Sequence, residues 1–140
     1  MVKNTPKDSE IAGIGDIKNA KYEHAQKEYS DAPYAAVEDN KDINFIIEGV
    51  LVMTGKFKTQ NNPTGEYIIM NARPQVAIVG KTKDKKEIQV AANGKVNLKS
   101  GGNAVRNIMK ENASRLPFKA RFVDRENENG QTYTDMTNWE

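Results

Sequence analysis

The sequence predicts a mainly β fold: five strands curled into a small closed sheet, one helix between the third and fourth strands, and an N-terminal arm. Three observations predict it. Residues 43–58 alternate as one long strand interrupted by Gly49 and Gly55. Turn-rich segments then recur through residues 60–94 between short apolar runs. Within the body a helical period arises between Ser100 and Pro117.

Taken in order, residues 1–42 are polar, rich in alanine and acids, and nearly free of large aliphatics after Ile17. Asp16 to Tyr29 carries a weak helical stripe that Ser30-Asp31-Ala32-Pro33 ends, so the region reads as a mobile or loosely packed arm. The folded body is expected to span residues 43–137, leaving 138–140 as a short C-terminal end.

Strand one covers Ile43 to Lys58. Strict alternation puts Phe45, Ile47, Gly49, Leu51, Met53, Gly55 and Phe57 on one face and Ile46, Glu48, Val50, Val52, Thr54, Lys56 and Lys58 on the other. Glycines within a strand mark a bulge or sharp bend, which a curled sheet needs. Gln60 to Gly65 is a turn. Strand two runs from Glu66 to Ala72 and resumes after Pro74 as Gln75 to Val79, the proline indicating an edge or bulge. Lys81 to Lys86 is a basic turn. Strand three is Glu87 to Ala91, followed by the Asn93-Gly94 turn and a short Val96–Leu98 segment.

Ala104, Val105, Ile108, Met109, Ala113 and Leu116 form the apolar stripe of one amphipathic helix, with Ser100 and Asn103 as candidate caps and Pro117 as the stop. Phe118–Asp124 and Gln131–Thr137, joined by Glu126 to Gly130, make a terminal hairpin.

Composition excludes several chemistries. With no cysteine there is no disulfide framework, zinc-thiolate site or thiol nucleophile, which fits a reducing cytosol. MVKNTPKDSE has no apolar core and does not read as a signal peptide. The longest apolar stretch, Ile43 to Met53, is about half the roughly 20 residues of a membrane helix, so no membrane partner is expected. The only histidine, His24, lies in the arm and reads as a solvated residue. No Ser/His or Cys/His pair and no nitrogen-rich metal site can be assembled, and Glu48, Glu66 and Glu87 read as surface or sheet-edge carboxylates. The expectation is a non-enzyme without a cofactor. Gly101-Gly102 before the helix lacks full phosphate-loop spacing and reads first as a flexible helix start, though Arg106 beside it is placed to meet a backbone phosphate.

Charge is unevenly distributed. Residues 1–42 hold 6 Lys/Arg and 9 Asp/Glu, net −3; residues 43–123 hold 14 and 5, net +9; residues 124–140 hold 1 and 5, net −4. A basic body between acidic ends suits a polyanionic partner.

The element order, the long bent first strand, the basic body and the acidic end together resemble the OB-fold single-stranded-DNA-binding proteins of bacteriophages and mobile elements. That family is built on a five-stranded Greek-key barrel. The resemblance implies a ligand face on strands two and three, flanked by loops. It also implies work in replication or recombination, in the cytoplasm of a bacterial host. Single-stranded nucleic acid, DNA favoured, needs cations for phosphates and flat rings for bases. Lys56, Phe57 and Lys58 supply both, and Tyr67 lies across the turn from them. Lys81, Lys83, Lys85 and Lys86 add a basic turn, and Arg73, Lys119 and Arg121 alternate with apolar residues so as to face outward. The loop Asp124 to Glu128 is acidic and departs from the expected binding jaw. Replication or recombination proteins are expected partners of the acidic ends, and a second copy of the chain is a further candidate. The competing reading is a protein-binding inhibitor or adaptor acting through those acidic ends. A third is a β-rich structural component of a particle.

Overall fold

The computed structural model describes residues 28–56, 58–60 and 62–140. The elements are β1 (Tyr34–Ala36), a 3-10 turn (Val37–Asp39), β2 (Asn44–Thr54), β3 (Glu66–Pro74), β4 (Ile78–Lys81), β5 (Glu87–Val90), β6 (Val96–Ser100), α1 (Asn103–Asn112), a second 3-10 turn (Ala113–Arg115), β7 (Phe118–Glu126) and β8 (Thr132–Thr137). The fold is mainly β, and its one described α-helix longer than a turn sits where the apolar period placed it.

The sheet is not the closed five-stranded barrel expected. It is open and eight-stranded, in the order β5-β4-β1-β6-β3-β2-β7-β8. The reason lies at β6. Closure would need a free edge on β6 to receive β8, but β6 already pairs with β3 on one side and β1 on the other. The β1–β6 pairing is parallel, Tyr34 opposite Asn97 and Ala36 opposite Lys99; all other pairings are antiparallel. The third expected strand, Glu87 to Ala91, is β5. It pairs with β4 rather than with β3, and β6 takes the place beside β3.

The folded body also reaches further toward the N-terminus than residue 43. Tyr29 and Val37 are buried, and β1 lies in the middle of the sheet. Residues 28–42 therefore belong to the body rather than to an arm. Most of the helix expected over Asp16 to Tyr29 lies outside the described residues.

Within β2 the pairing with β3 shifts between Ile47 and Gly49, so Glu48 is an extra, bulged residue. A one-residue insertion reverses the faces of everything that follows. Phe45 and Ile47 face the core before the bulge, and Val50 and Val52 face it afterwards, in place of the Leu51 and Met53 that unbroken alternation predicts. Ile68, Met70 and Ala72 of β3, Val96 and Leu98 of β6, and Phe122 of β7 complete this face. The rings of Phe45 and Phe122 meet at 5.7 Å and 60°, a tilted contact that adds about 0.5–1.5 kcal/mol to area burial. Helix α1 covers the core with Val105 and Met109, and Ala113 and Leu116 continue the stripe. It starts without a side-chain cap at Gly102, whose N–H instead bonds the Ser100 hydroxyl at 3.2 Å.

Candidate nucleic-acid interface

The sheet's other face divides into a covered part and an open part. The covered part centres on Tyr29. Its hydroxyl donates to Glu48 Oε1, which also receives Arg73 Nε at 3.0 Å. Its carbonyl accepts from Asn97 Nδ2 at 3.0 Å, and Asn71 Nδ2 donates to Asn97 Oδ1 at 2.8 Å. Lys95 Nζ stands 5.6 Å from the Tyr29 ring centre. Burial first, then the bond to Glu48 and its charge, holds the Tyr29 hydroxyl protonated far above its ordinary range.

The open part is a cleft of about 1400 Å³. Its floor is β1, the start of β3 and the end of β6. One wall is the β2–β3 loop and the other is β4 with the first residue of β5. The loop wall is held by local bonds. Gly55 N–H donates to Gly65 O at 2.9 Å, and Thr59 and Asn62 exchange backbone bonds at 3.0 and 3.1 Å. The Asn62 side chain grips the backbone of Glu66 through both its oxygen and its nitrogen.

Two tyrosines lie on the floor, one strand apart. Tyr67 opens β3, half-buried, beside Gly55. A Cβ at Gly55 would stand 3.2 Å from Tyr67 Cε1, so the glycine makes room for the ring. Lys99 Nζ lies 5.3 Å from the ring centre, within cation–π range. Tyr34, on β1, sits opposite Lys81 of β4. Gly80 permits that approach, because a Cβ there would come within 3.1 Å of Pro33 and 3.2 Å of the Tyr34 carbonyl. Lys56, Lys81 and Lys99 are exposed around the two rings.

Acids line the cleft too, and two of the four, Glu66 and Glu38, are bonded. Glu66 binds Lys110 at 2.5 Å and Arg106 at 3.1 Å. Its carboxyl is lowered below the ordinary range, first by the bond from Lys110 and then by the Lys110 and Arg106 charges, against the opposing effect of burial. Arg106 is buried and also bonds Gly101 O at 3.3 Å and the Asn103 side chain. It thus braces the start of α1 rather than reaching toward a ligand. Glu38 accepts from the Ser100 hydroxyl at 3.3 Å, and Glu87 lies across from Lys81.

Of the residues singled out in the sequence, Lys56, Tyr67 and Lys81 come together in the cleft. Lys58 is exposed on the loop wall, and Lys83, Lys85 and Lys86 are exposed on the β4–β5 turn that continues the other wall. Phe57 lies outside the described residues. Arg73, Lys119 and Arg121 are placed elsewhere. Arg73 belongs to the Glu48–Tyr29 cluster and also bonds Asn93 O at 2.9 Å. Lys119 Nζ lies 4.7 Å from the Trp139 ring centre. Arg121 bonds Asn44 Oδ1 at 3.0 Å and approaches Glu140 at 3.9 Å. The chain's last residues therefore lie against β2 and β7, where Trp139 Nε1 donates to Phe45 O at 2.8 Å.

Tyr34 and Lys99 escaped the sequence reading. A signal existed for Lys99: alternation of Val96, Leu98 and Ser100 inward sends Asn97 and Lys99 outward. None existed for Tyr34, whose three-residue strand is defined by a partner about sixty residues away. Among the described residues no group of acids and histidine is placed to hold a metal ion, and no helix is long and apolar enough to cross a membrane. Comparison with known protein families, curated proteins and solved structures finds no match to this chain.

Proposed function

We propose that the chain is a non-enzymatic, sequence-tolerant binder of single-stranded nucleic acid, DNA favoured, serving replication or recombination. The observation that carries this reading is the pair Tyr34 and Tyr67 on the floor of one open cleft, with lysines on the floor and both walls. A flexible strand lying in such a cleft offers its bases to the rings and its phosphates to Lys56 and Lys58 on one side and Lys81 to Lys86 on the other. Carboxylates beside the floor, Glu38 and Asp39 of the turn after β1, disfavour phosphate there and leave the lysine-bearing walls as the backbone path. These exposed carboxylates also accept hydrogen bonds from base amino and imino groups.

The test is titration of a labelled single-stranded oligonucleotide at several salt concentrations. Affinity falls with salt, with a log–log slope of about −0.7 per phosphate neutralised. Replacing Lys56, Lys81 and Lys99 together with alanine makes that slope shallower by about 2. Absence of binding at low salt, or a slope that the triple variant leaves unchanged, refutes the reading.

A further inference from the structure

We propose that copies of this protein assemble head to tail, the β5 edge of one copy pairing in parallel with the β8 edge of the next. The open sheet ends in two strands that no described strand covers, β5 and β8. Unpaired edges of this kind are templates for further strands. Among the described residues, the exposed large hydrophobic side chains are Val76, Val79, Ile88 and Tyr133. All four lie on the edge hairpins β4–β5 and β7–β8 or within two residues of them.

The two edges carry opposite charge. Residues 81–87 hold four lysines, Asp84 and Glu87, net +2; residues 124–135 hold Asp124, Glu126, Glu128 and Asp135 against Arg125, net −3. Within the second hairpin Asp124 is taken by Lys41 and Asp135 by Arg125. Glu126 and Glu128 have no ion-pair partner among the described residues, and neither do Lys83, Lys85 and Lys86.

Strand direction decides how these edges meet. Counting from β6, β1 is parallel, β4 reverses and β5 reverses again, so β5 runs with β6. On the other side β3, β2, β7 and β8 each reverse, so β8 also runs with β6. Extending the sheet with its faces kept in register therefore sets β5 parallel to β8 of the next copy. In that arrangement the turn that opens β5 lies beside the turn that opens β8, and Lys83, Lys85 and Lys86 face Glu126 and Glu128. A two-fold contact of β5 with β5 would instead run antiparallel and set each basic turn beside the uncharged end of the other β5, Val90 to Ala92, leaving its lysines without acidic partners. Because the two patches differ, the contact is head to tail, and copies add in a row until a ring closes or a filament grows. Each copy's cleft then lies on the same side of the assembly. The assembly itself does not depend on the nucleic-acid reading.

The experiment is sedimentation velocity on nuclease-treated protein over a range of concentrations at low and high salt. The expected result is mass that rises with concentration and falls with salt. One variant reverses the basic turn (Lys83→Glu, Lys85→Glu, Lys86→Glu) and a second reverses the acidic one (Glu126→Lys, Glu128→Lys). Each alone associates about tenfold more weakly or worse. Mixed in equal amounts they associate again, since every contact is then complementary. Wild-type protein that stays monomeric at every concentration overturns the proposal. So do variants that assemble alone as well as wild type, or a mixture of two folded variants that remains monomeric.

Discussion

Lys99 Nζ stands 5.3 Å from the ring centre of Tyr67, on a strand hydrogen-bonded to the one that carries the ring. The ring is also packed beside Gly55, so its position depends on residues from three chain segments. A ring held in this way is prepaid in conformational entropy, which favours stacking over the same ring on a free loop.

Tyr67→Ala is expected to weaken oligonucleotide binding by about 1–3 kcal/mol, roughly 5- to 150-fold. Tyr67→Phe should keep most of the affinity. Gly55→Ala places a methyl group 3.2 Å from Tyr67 Cε1 and displaces the ring. Its effect should vanish in a Tyr67→Ala background, because both changes act through one ring. Fluorescence titration of the four proteins measures this, and additive losses would show that Gly55 acts otherwise.

Glu66 predicts acid sensitivity. Its carboxyl is lowered by Lys110 and Arg106. A depressed carboxylate contributes stability above its unfolded value and loses it as pH falls through the folded one. Stability should therefore decline from about pH 4.5 downward. Glu66→Gln should flatten that decline and cost about 1–3 kcal/mol at neutral pH by leaving buried Arg106 without its carboxylate. Denaturant melts of both proteins between pH 3 and 7 decide it.

Tyr29 predicts the opposite end of the scale. Burial and Glu48 raise its hydroxyl above the ordinary value. The unfolded chain then releases this proton first, so its contribution is whole below about pH 10 and is lost as pH rises further. Tyr29→Phe should be less stable at neutral pH, by about 1–2 kcal/mol. The gap from wild type should narrow in alkali. A gap that stays constant to pH 11 would disprove the bond.

Val37 tests the N-terminal boundary. It is fully buried beside the core although it belongs to residues 28–42. Val37→Ala should cost about 1–3 kcal/mol, as a core truncation does. A chain beginning at residue 43 lacks β1, which joins β4 to β6, and should fail to give a cooperative melt.

Much of this architecture is legible in the sequence because its signals are local. Alternation placed β2, β3 and the β7–β8 hairpin to within a few residues, and the 3.6-residue stripe from Val105 to Leu116 placed the helix. Gly49 marked the site of the bulge. The bulge's consequence, the exchange of Leu51 and Met53 for Val50 and Val52 in the core, needed the pairing partner, since only Asn71 and Ala72 show that Glu48 is the extra residue. The same limit applied to the cations. Lys81 and Arg73 look alike in sequence, yet one lines the cleft and the other is held by Glu48.

By itself, then, the sequence determined the β-rich class, the late helix, the basic turn and the ring at Tyr67, all set by spacing along the chain. Only the tertiary structure decided that the sheet is open, that Tyr34 stands across from Lys81, and that Lys119 and Arg121 lie beneath the chain's own last residues. Periodicity specifies which face a side chain takes. It does not specify which strand lies alongside, because that choice belongs to hydrogen bonds between residues far apart in sequence.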